Sequence, residues 1–413
     1  MITVEDALNR ILENITPLGT EKINILNSLG RVIGEDIFAS RNIPPLDNSA
    51  MDGYAVRRED TLGASREKPA ILAIIEDIPA GTIPTKRIAA GNASRIMTGA
   101  PLPEGSDAVV RMEDTERKNG NVRIFVEAEP GENIRRAGED VKERDLVISR
   151  GDVIRPAEVG MLAALGRSFI ACHQRPLVAI LSTGDELVDV DETPSSWNIV
   201  NSNSYSLAAQ VADCGAIPIQ LGIAKDTRED LVDKLKSARR ADIVLSSGGV
   251  SVGDFDFVKD IMQEVGNNMQ FWQVAKRPGK PLAYGTLGGV PLFGLPGNPV
   301  SAMVSFEQFV RPSILKMMGH RNLFRNAVKA VLAEGLTKKE GTRQFVRARV
   351  RKEGGRYTAT STGEQGSGIL KSMVLANGLI VLQEKTTTVA AGDEVTVLLL
   401  DDSLTRTSQP EYL

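Results

Sequence analysis

Residues Asp242–Gly249, DIVLSSGG, decide the fold. Three apolar residues, Ile243, Val244 and Leu245, run into two serines and then glycines. An apolar run this short, closed by a glycine turn, reads as a strand buried on both faces, because a buried helix needs ten or more residues. The same design recurs on either side. Pro176–Ser182 (PLVAILS), Ile217–Ile223 (IPIQLGI), Phe271–Ala275 (FWQVA) and Pro291–Gly297 (PLFGLPG) are further short apolar runs. Helical segments lie between them: Ser204–Cys214 closed by Gly215, Asp226-Thr227 leading to Arg239, Asp254–Gly266, and Pro299–Gly319 with a bend expected at Pro312. Alternating short strands and helices predict a mostly parallel sheet with helices on both faces, a three-layer α/β/α domain over 175-325.

The flanks have a different texture. Near the N-terminus, Ala7, Leu8, Ile11, Leu12 and Ile15 share one helix face, and Thr3 with Asp6 forms a capping box. From about 68 to 150, β-branched runs are broken by Gly and Pro, and Asn119-Gly120 predicts a hairpin. A helix opens at Pro156 and ends near Gly166. Beyond 326 the chain is β again. Val346, Ala348 and Val350 alternate with Arg347, Arg349 and Arg351, and Glu353-Gly354-Gly355 turns the chain, so a small β-barrel or sandwich is expected.

Bulk properties exclude several functions. Net charge is −4, from 49 basic and 53 acidic residues, which argues against a nucleic-acid binder. MITVEDALNR lacks the basic start and apolar run of a signal peptide, and no apolar run is long enough to span a membrane, so a cytoplasmic location is expected. Cys172 and Cys214 are the only cysteines and His173 and His320 the only histidines. A disulfide scaffold, a thiolate metal site and a histidine-based triad are all disfavoured. A metal here must be held by oxygen, which points to Mg²⁺ or a similar ion.

In an open parallel sheet, ligands bind beyond the carboxyl ends of the strands. The segments following the five strands are Ser182-Thr183-Gly184-Asp185-Glu186, Lys225-Asp226, Ser246–Asp254 with Asp256, Lys276–Pro281 and Leu295–Pro299. All are polar and four carry glycine. Ser247, Gly248, Gly249 and Ser251 allow backbone amides to approach an anion closely. Asn298 before Pro299 suggests a bare helix N-terminus that attracts phosphate. Lys276, Arg277 and Lys280 supply positive charge. Asp185, Glu186, Asp226, Asp254 and Asp256 would repel the same phosphate unless a divalent cation bridges them. Taken singly these features have plainer readings: a glycine turn, a helix cap at Asp226, a solvated helix start at Asp185-Glu186, surface lysines.

One motif fits no secondary-structure period: Pro44–Ala55, PPLDNSAMDGYA. Together with IMTGAPLPEGSDAVV (96–110), LSTGDEL (181–187), NSNSYSL (201–207), SSGGVSVGD (246–254), RPGKPLAYG (277–285) and GLPGNPVSA (294–302), it resembles the MoeA family of molybdopterin molybdenumtransferases, whose relatives include the C-terminal domain of gephyrin. The resemblance implies insertion of molybdenum from molybdate into adenylylated molybdopterin, with release of AMP and help from Mg²⁺ or a similar cation.

It also implies an organisation. An elongated segment would comprise 1-26, 44-53 and 142-174. A β-rich domain of 27-43 and 54-141 would be inserted in it. An α/β domain resembling MogA, the partner adenylyltransferase, would span 175-325, and a β-barrel 326-413. The family is homodimeric, with the active site at the subunit interface.

Site residues follow by matching positions. Asp52, Thr98 and Asp140 would face the cleft with Ser49. Glu186, Asp226 and Asp256 would act in catalysis and, with Asp185, hold the cation. Ser182, Thr183, Gly184, Ser247, Gly248, Gly249, Ser251, Asp254, Lys276, Arg277, Lys280, Pro296, Asn298 and Pro299 would bind substrate. Arg347 and Ser367 would join them from the barrel, although Arg347 also reads as the polar face of an edge strand. The family's lysine motif reads Arg277-Pro278-Gly279-Lys280 here, which leaves open whether Lys276 or Arg277 meets phosphate. Two other readings are a cofactor carrier or scaffold without turnover, and an adenylyl transferase. The second leaves the Asp47–Ala55 segment unused.

Overall fold

The computed structural model describes residues 1–225, 227–248 and 269–406, apart from the side chain of Phe271. The chain divides into two compact units. One comprises Met1–Glu21, Gly30–Gly34 and Ala171–Leu413; the other comprises Lys22–Leu29 and Glu35–Ile170.

In the first unit, the described strands of the central sheet lie in the order Ile217–Ala224, Leu177–Thr183, Ile243–Ser247, Val290–Leu295, Pro281–Leu287, Gln270–Gln273. The first four are mutually parallel. Side chains alternate between two apolar faces. Val178, Ile180, Ile243, Leu245, Phe293 and Leu295 point to one core, shared with Ala7 and Ile11 of the helix Val4–Glu13, Leu207 and Val211 of Ser202–Asp213, and Phe306, Phe309 and Ile314. Ala179, Leu181, Val244 and Leu292 point the other way, against Leu231, Leu235 and Ala238 of the helix Arg228–Ala238. Because both faces are covered, each strand reads as an unbroken apolar run.

The structure adds one strand and redraws one helix. Pro281–Leu287, to which the sequence pattern assigns no element, forms a strand antiparallel to Val290–Leu295. The pair turns at Gly288-Gly289, both at positive φ, as a two-residue hairpin requires. Flanking prolines and glycines hide the strand pattern of Leu282, Ala283 and Tyr284. The last long helix is not simply bent at Pro312. It runs as Pro299–Ser305, a π-helical turn Phe306–Val310, then Arg311–Met317. The wider turn before Pro312 absorbs the amide that proline lacks. The expected helix within Asp254–Gly266 lies outside the described residues.

The C-terminal strands close on themselves. Arg343–Glu353, Arg356–Ser361, Ala327–Leu332, Glu394–Leu399 and Gly378–Leu382 pair in that order, and Gly378–Leu382 returns to Arg343–Glu353. This is a closed five-stranded barrel, not a sandwich. Val346, Ala348, Val350, Ile380 and Val397 fill it. The short strand Lys276–Arg277 adds in parallel to Arg343-Gln344, which ties the loop beyond the central sheet to the barrel.

The second unit is built on a sheet in the order Ala108–Arg111, Gly53–Val56, Asn92–Ile96, Ala70–Ile78, Asn121–Ile124, Thr115–Lys118. Asn119 and Gly120 turn the last hairpin at φ 51° and 77°, as their sequence predicts. The helix Pro156–Ala164 ends before Gly166, at φ 73°. Among the described residues, no helix is long and apolar enough to cross a membrane.

Candidate active site

In the second unit, Asp52 precedes the central strand Gly53–Val56, and Thr98 follows its antiparallel neighbour Asn92–Ile96. The pairing brings them to the same end of the sheet. The Thr98 amide donates to Asp52 Oδ1 at 2.7 Å and the Thr98 hydroxyl at 2.8 Å. These two bonds, the amide first, hold the Asp52 carboxyl below its usual range, and the charge of Arg95 adds to them. Gly53 makes the position possible, because a Cβ there would lie 2.0 Å from the Val110 carbonyl oxygen. The preceding turn is fixed by its own bonds. Ser49 is fully buried and its hydroxyl donates to the Met51 carbonyl. Asp47 accepts from the Ala137 amide and from Arg136, both at 2.7 Å. Asp140 is exposed in a loop whose amide donates to the Ile43 carbonyl. No hydrogen bond joins it to Asp52 among the described residues.

In the first unit, the expected loops meet beyond the strand tips. Ser182 Oγ lies 3.0 Å from Asn201 Oδ1 and 2.9 Å from Ser204 Oγ, all buried. Asn203 Nδ2 donates to Ser247 Oγ and to the Gly297 carbonyl, each at 2.7 Å, and so ties two strand-end loops together. Gly248, at φ 94°, packs where a Cβ would fall 2.6 Å from the Thr183 carbonyl. Gly279, at φ 76°, lies against Ser301 and Pro296. The barrel reaches in as well: the Val300 amide donates to the Ser367 carbonyl at 3.1 Å. The helix after Asn298-Pro299 is therefore not bare, since Ser367 already occupies one of its first amides.

Two cations stand differently from expectation. Lys276 is fully buried. Its Nζ donates to the Pro278 carbonyl at 3.0 Å and to Ser305 Oγ at 2.8 Å, and burial pushes its pKa down to about 7. It holds the Pro278-Gly279 turn from beneath, and this placement does not match a phosphate contact. Arg277 is exposed and Lys280 half-buried. Arg347 is no edge-strand surface residue either, being only 1% exposed. Its guanidinium donates to Ser372 Oγ at 3.0 Å and to the Gly366 carbonyl at 2.9 Å, so it pins the loop that carries Ser367. Burial lowers its pKa to about 10. These contacts were hidden because no local pattern marks which arginine of an alternating strand will be covered.

Asn203 is a residue that sequence reasoning left out of the site. Its signal was an amide, a poor helix former, inside the first turn after the cap Asn201. Its Oδ1, like Thr183 Oγ1, is buried without a partner among the described residues. Two orphaned polar atoms beside the same strand tips are what a ligand's donors would satisfy.

Asp226, Gly249, Ser251, Asp254 and Asp256 lie outside the described residues. Of the expected cation ligands, Asp185 and Glu186 are exposed carboxylates in the turn after Leu177–Thr183. Glu186 folds back over Gly184, where a Cβ would meet its Oε2 at 2.6 Å. Their oxygen donors suit a hard divalent ion. No group of three histidine, cysteine or acidic residues converges among the described residues.

Comparison with known proteins agrees with this layout. The MoeA N-terminal region (domain I and II) matches residues 2–166, a probable molybdopterin binding domain 179–316, and the MoeA C-terminal region (domain IV) 329–400. Molybdopterin molybdenumtransferase 2 of Mycobacterium tuberculosis is 40% identical, over 91% of this chain and 94% of its own. Molybdopterin molybdenumtransferase of Haemophilus influenzae is 37% identical, over 96% and 98%. The crystal structure of the molybdopterin biosynthesis MoeA protein from Pyrococcus horikoshii superposes with a TM-score of 0.85 at 32% identity, covering 97% of this chain and 99% of that one. The chain belongs to the MoeA family.

Proposed function

We propose that the protein is a molybdopterin molybdenumtransferase that inserts molybdenum from molybdate into adenylylated molybdopterin and releases AMP. The observation that carries this reading is the continuous contact set at the strand tips. It links Thr183, Gly248, Asn203, Gly297, Pro296 and Gly279 to the barrel loop of Ser367. Segments far apart in sequence build one polar surface with unsatisfied acceptors.

The roles follow from chemistry. Backbone at Gly184, Gly248 and Gly249, with Ser182, Ser247, Ser251 and Asp254, binds the pterin nucleotide's polar groups. Arg277 and Lys280 face its phosphates, Pro296, Asn298 and Pro299 shape the loop beside them, and Ser367 completes the wall that Arg347 holds in place. Asp185 and Glu186, with Asp226 and Asp256, would hold Mg²⁺ or a similar ion, which supplies charge neutralisation at the phosphate oxygens. Asp52, kept ionised by Thr98, orients the polar end of the substrate, together with Ser49 and Asp140. Holding molybdate next to the dithiolene couples cleavage to insertion by proximity.

The wider assignment follows the same family. The central unit is a three-layer α/β/α domain of the MogA type over 175-325, with 1-26, 44-53 and 142-174 as an elongated segment, 27-43 and 54-141 as a β-rich insertion and 326-413 as the barrel. The protein acts in the cytoplasm as a homodimer. Asp52 of one copy serves the strand tips of the other, and a MogA-like adenylyltransferase supplies the substrate. Carrying the cofactor without turnover would not need an ionised Asp52 or a cation site. The test is AMP release from adenylylated molybdopterin with molybdate and Mg²⁺, in the wild type, Asp52→Asn and Glu186→Gln. Multiple turnovers in the wild type and a large loss in both variants are expected. No AMP in excess of protein would refute the enzyme reading.

A further inference from the structure

The outer face of the barrel hairpin carries a polar cavity of about 380 Å³ that the proposed reaction does not use. Strand register builds it. Arg349 stands opposite Thr360 and Arg351 opposite Thr358. Residues two apart share one side of a strand, about 7 Å from each other. Val346, Ala348 and Val350 fill the barrel, so both arginines point out. Ser361 and Leu375 close the cavity's sides.

What sets this pair apart is the lack of an ion pair among the described residues. On another exposed hairpin of this protein, Arg123 meets Glu116 directly across the strands at 2.7 Å. On the barrel itself, Lys329 reaches Glu394 at 3.5 Å. Arg349 and Arg351 face hydroxyls instead, and neither makes an ion pair among the described residues. Glu353 follows Arg351 by two residues on the same strand but makes no ion pair with it among the described residues, and Glu334 accepts from the amide and hydroxyl of Ser361. Two neighbouring guanidinium groups repel each other until an anion sits between them. Their forked donors match a tetrahedral oxyanion, and the threonine hydroxyls can serve its remaining oxygens.

We propose that this cavity binds a doubly charged tetrahedral oxyanion, the class that includes molybdate and the phosphate of a nucleotide. The site is distinct from Arg347, two residues away on the same strand, whose guanidinium is committed to Ser372 and Gly366.

The test is calorimetric titration of the full chain with molybdate, and separately with AMP, in the wild type and in an Arg349→Gln/Arg351→Gln double variant. The variant is expected to lose one oxyanion site per chain, or to bind there about tenfold or more weakly. Loss with molybdate alone assigns the site to free inorganic ions. Loss with AMP alone assigns it to phosphate monoesters. Equal stoichiometry and affinity in the two proteins for both probes overturns the proposal. Thermal melting checks that the variant is folded. An Arg349→Lys/Arg351→Lys variant, which keeps the charge but loses the planar fork, repeats the test with less disturbance and is expected to bind several-fold more weakly.

Discussion

Replacing Lys276 by methionine should stabilise this protein at neutral pH and flatten its stability at alkaline pH. The amine is fully buried, with neutral partners, and titrates at about 7 instead of 10.5. Between those values the unfolded chain binds a proton that the folded chain does not. Stability must therefore rise with pH from about 7 to about 10.5. A shift from 10.5 to about 7 at ~1.36 kcal/mol per unit means that roughly 5 kcal/mol is withheld at pH 7. The Lys276→Met substitution would remove that penalty. It would also leave the Pro278 carbonyl and Ser305 hydroxyl without their donor, costing about 1 kcal/mol each. The net gain is about 3 kcal/mol at pH 7. Between pH 7 and 9.5 the wild type should gain about 3 kcal/mol more than the variant. Urea unfolding followed by tryptophan fluorescence reads this, because Trp272 packs against the core of the unit that holds Lys276. Parallel pH profiles for the two proteins would refute the assignment of Lys276 as a buried amine that titrates at about 7.

Other consequences are as direct. Gly53→Ala places a Cβ 2.0 Å from the Val110 carbonyl, so it should destabilise the second unit by about 2–4 kcal/mol, measured by urea melts. Unchanged stability would mean that the sheet yields there. Thr98→Val removes the hydroxyl donor to Asp52 but leaves the amide bond, so the Asp52 pKa rises part of the way to normal. The acid limb of the AMP-release profile should then move to higher pH; an unmoved limb would separate Asp52 from catalysis. Burial holds the His320 pKa below 6.5, with help from Arg311 and His173. The unfolded chain therefore takes up the proton first as pH falls below 6.5, and stability drops. His320→Gln should lose less between pH 7 and 5, and an equal loss in the two proteins would exclude this histidine as a cause.

The fold was legible wherever a rule of local chemistry had no competitor. Asn119-Gly120 and Gly354-Gly355 turn hairpins because their backbones accept positive φ, and both do so here. Val346, Ala348 and Val350 point into the barrel because a strand alternates. The strand Pro281–Leu287 was illegible because its flanking Pro and Gly are turn signals, and only pairing with Val290–Leu295 overrides them. Choosing barrel over sandwich needed the return of Gly378–Leu382 to Arg343–Glu353, a pairing between distant segments that no local pattern encodes.

The site divides the same way. By itself the sequence determined which loops follow strand ends and that they are rich in glycine and charge; only the family resemblance grouped the 47–55 motif with them. The first two are properties of residue type and spacing, and spacing survives folding. Tertiary structure decided which charges remain available. Lys276 lies beneath its turn, Arg347 grips the Ser367 loop, and Ser367 covers the helix amide that the sequence left open. The reason is that burial and partner choice depend on what other segments bring within about 3 Å, and a side chain's own neighbours in sequence do not carry that information.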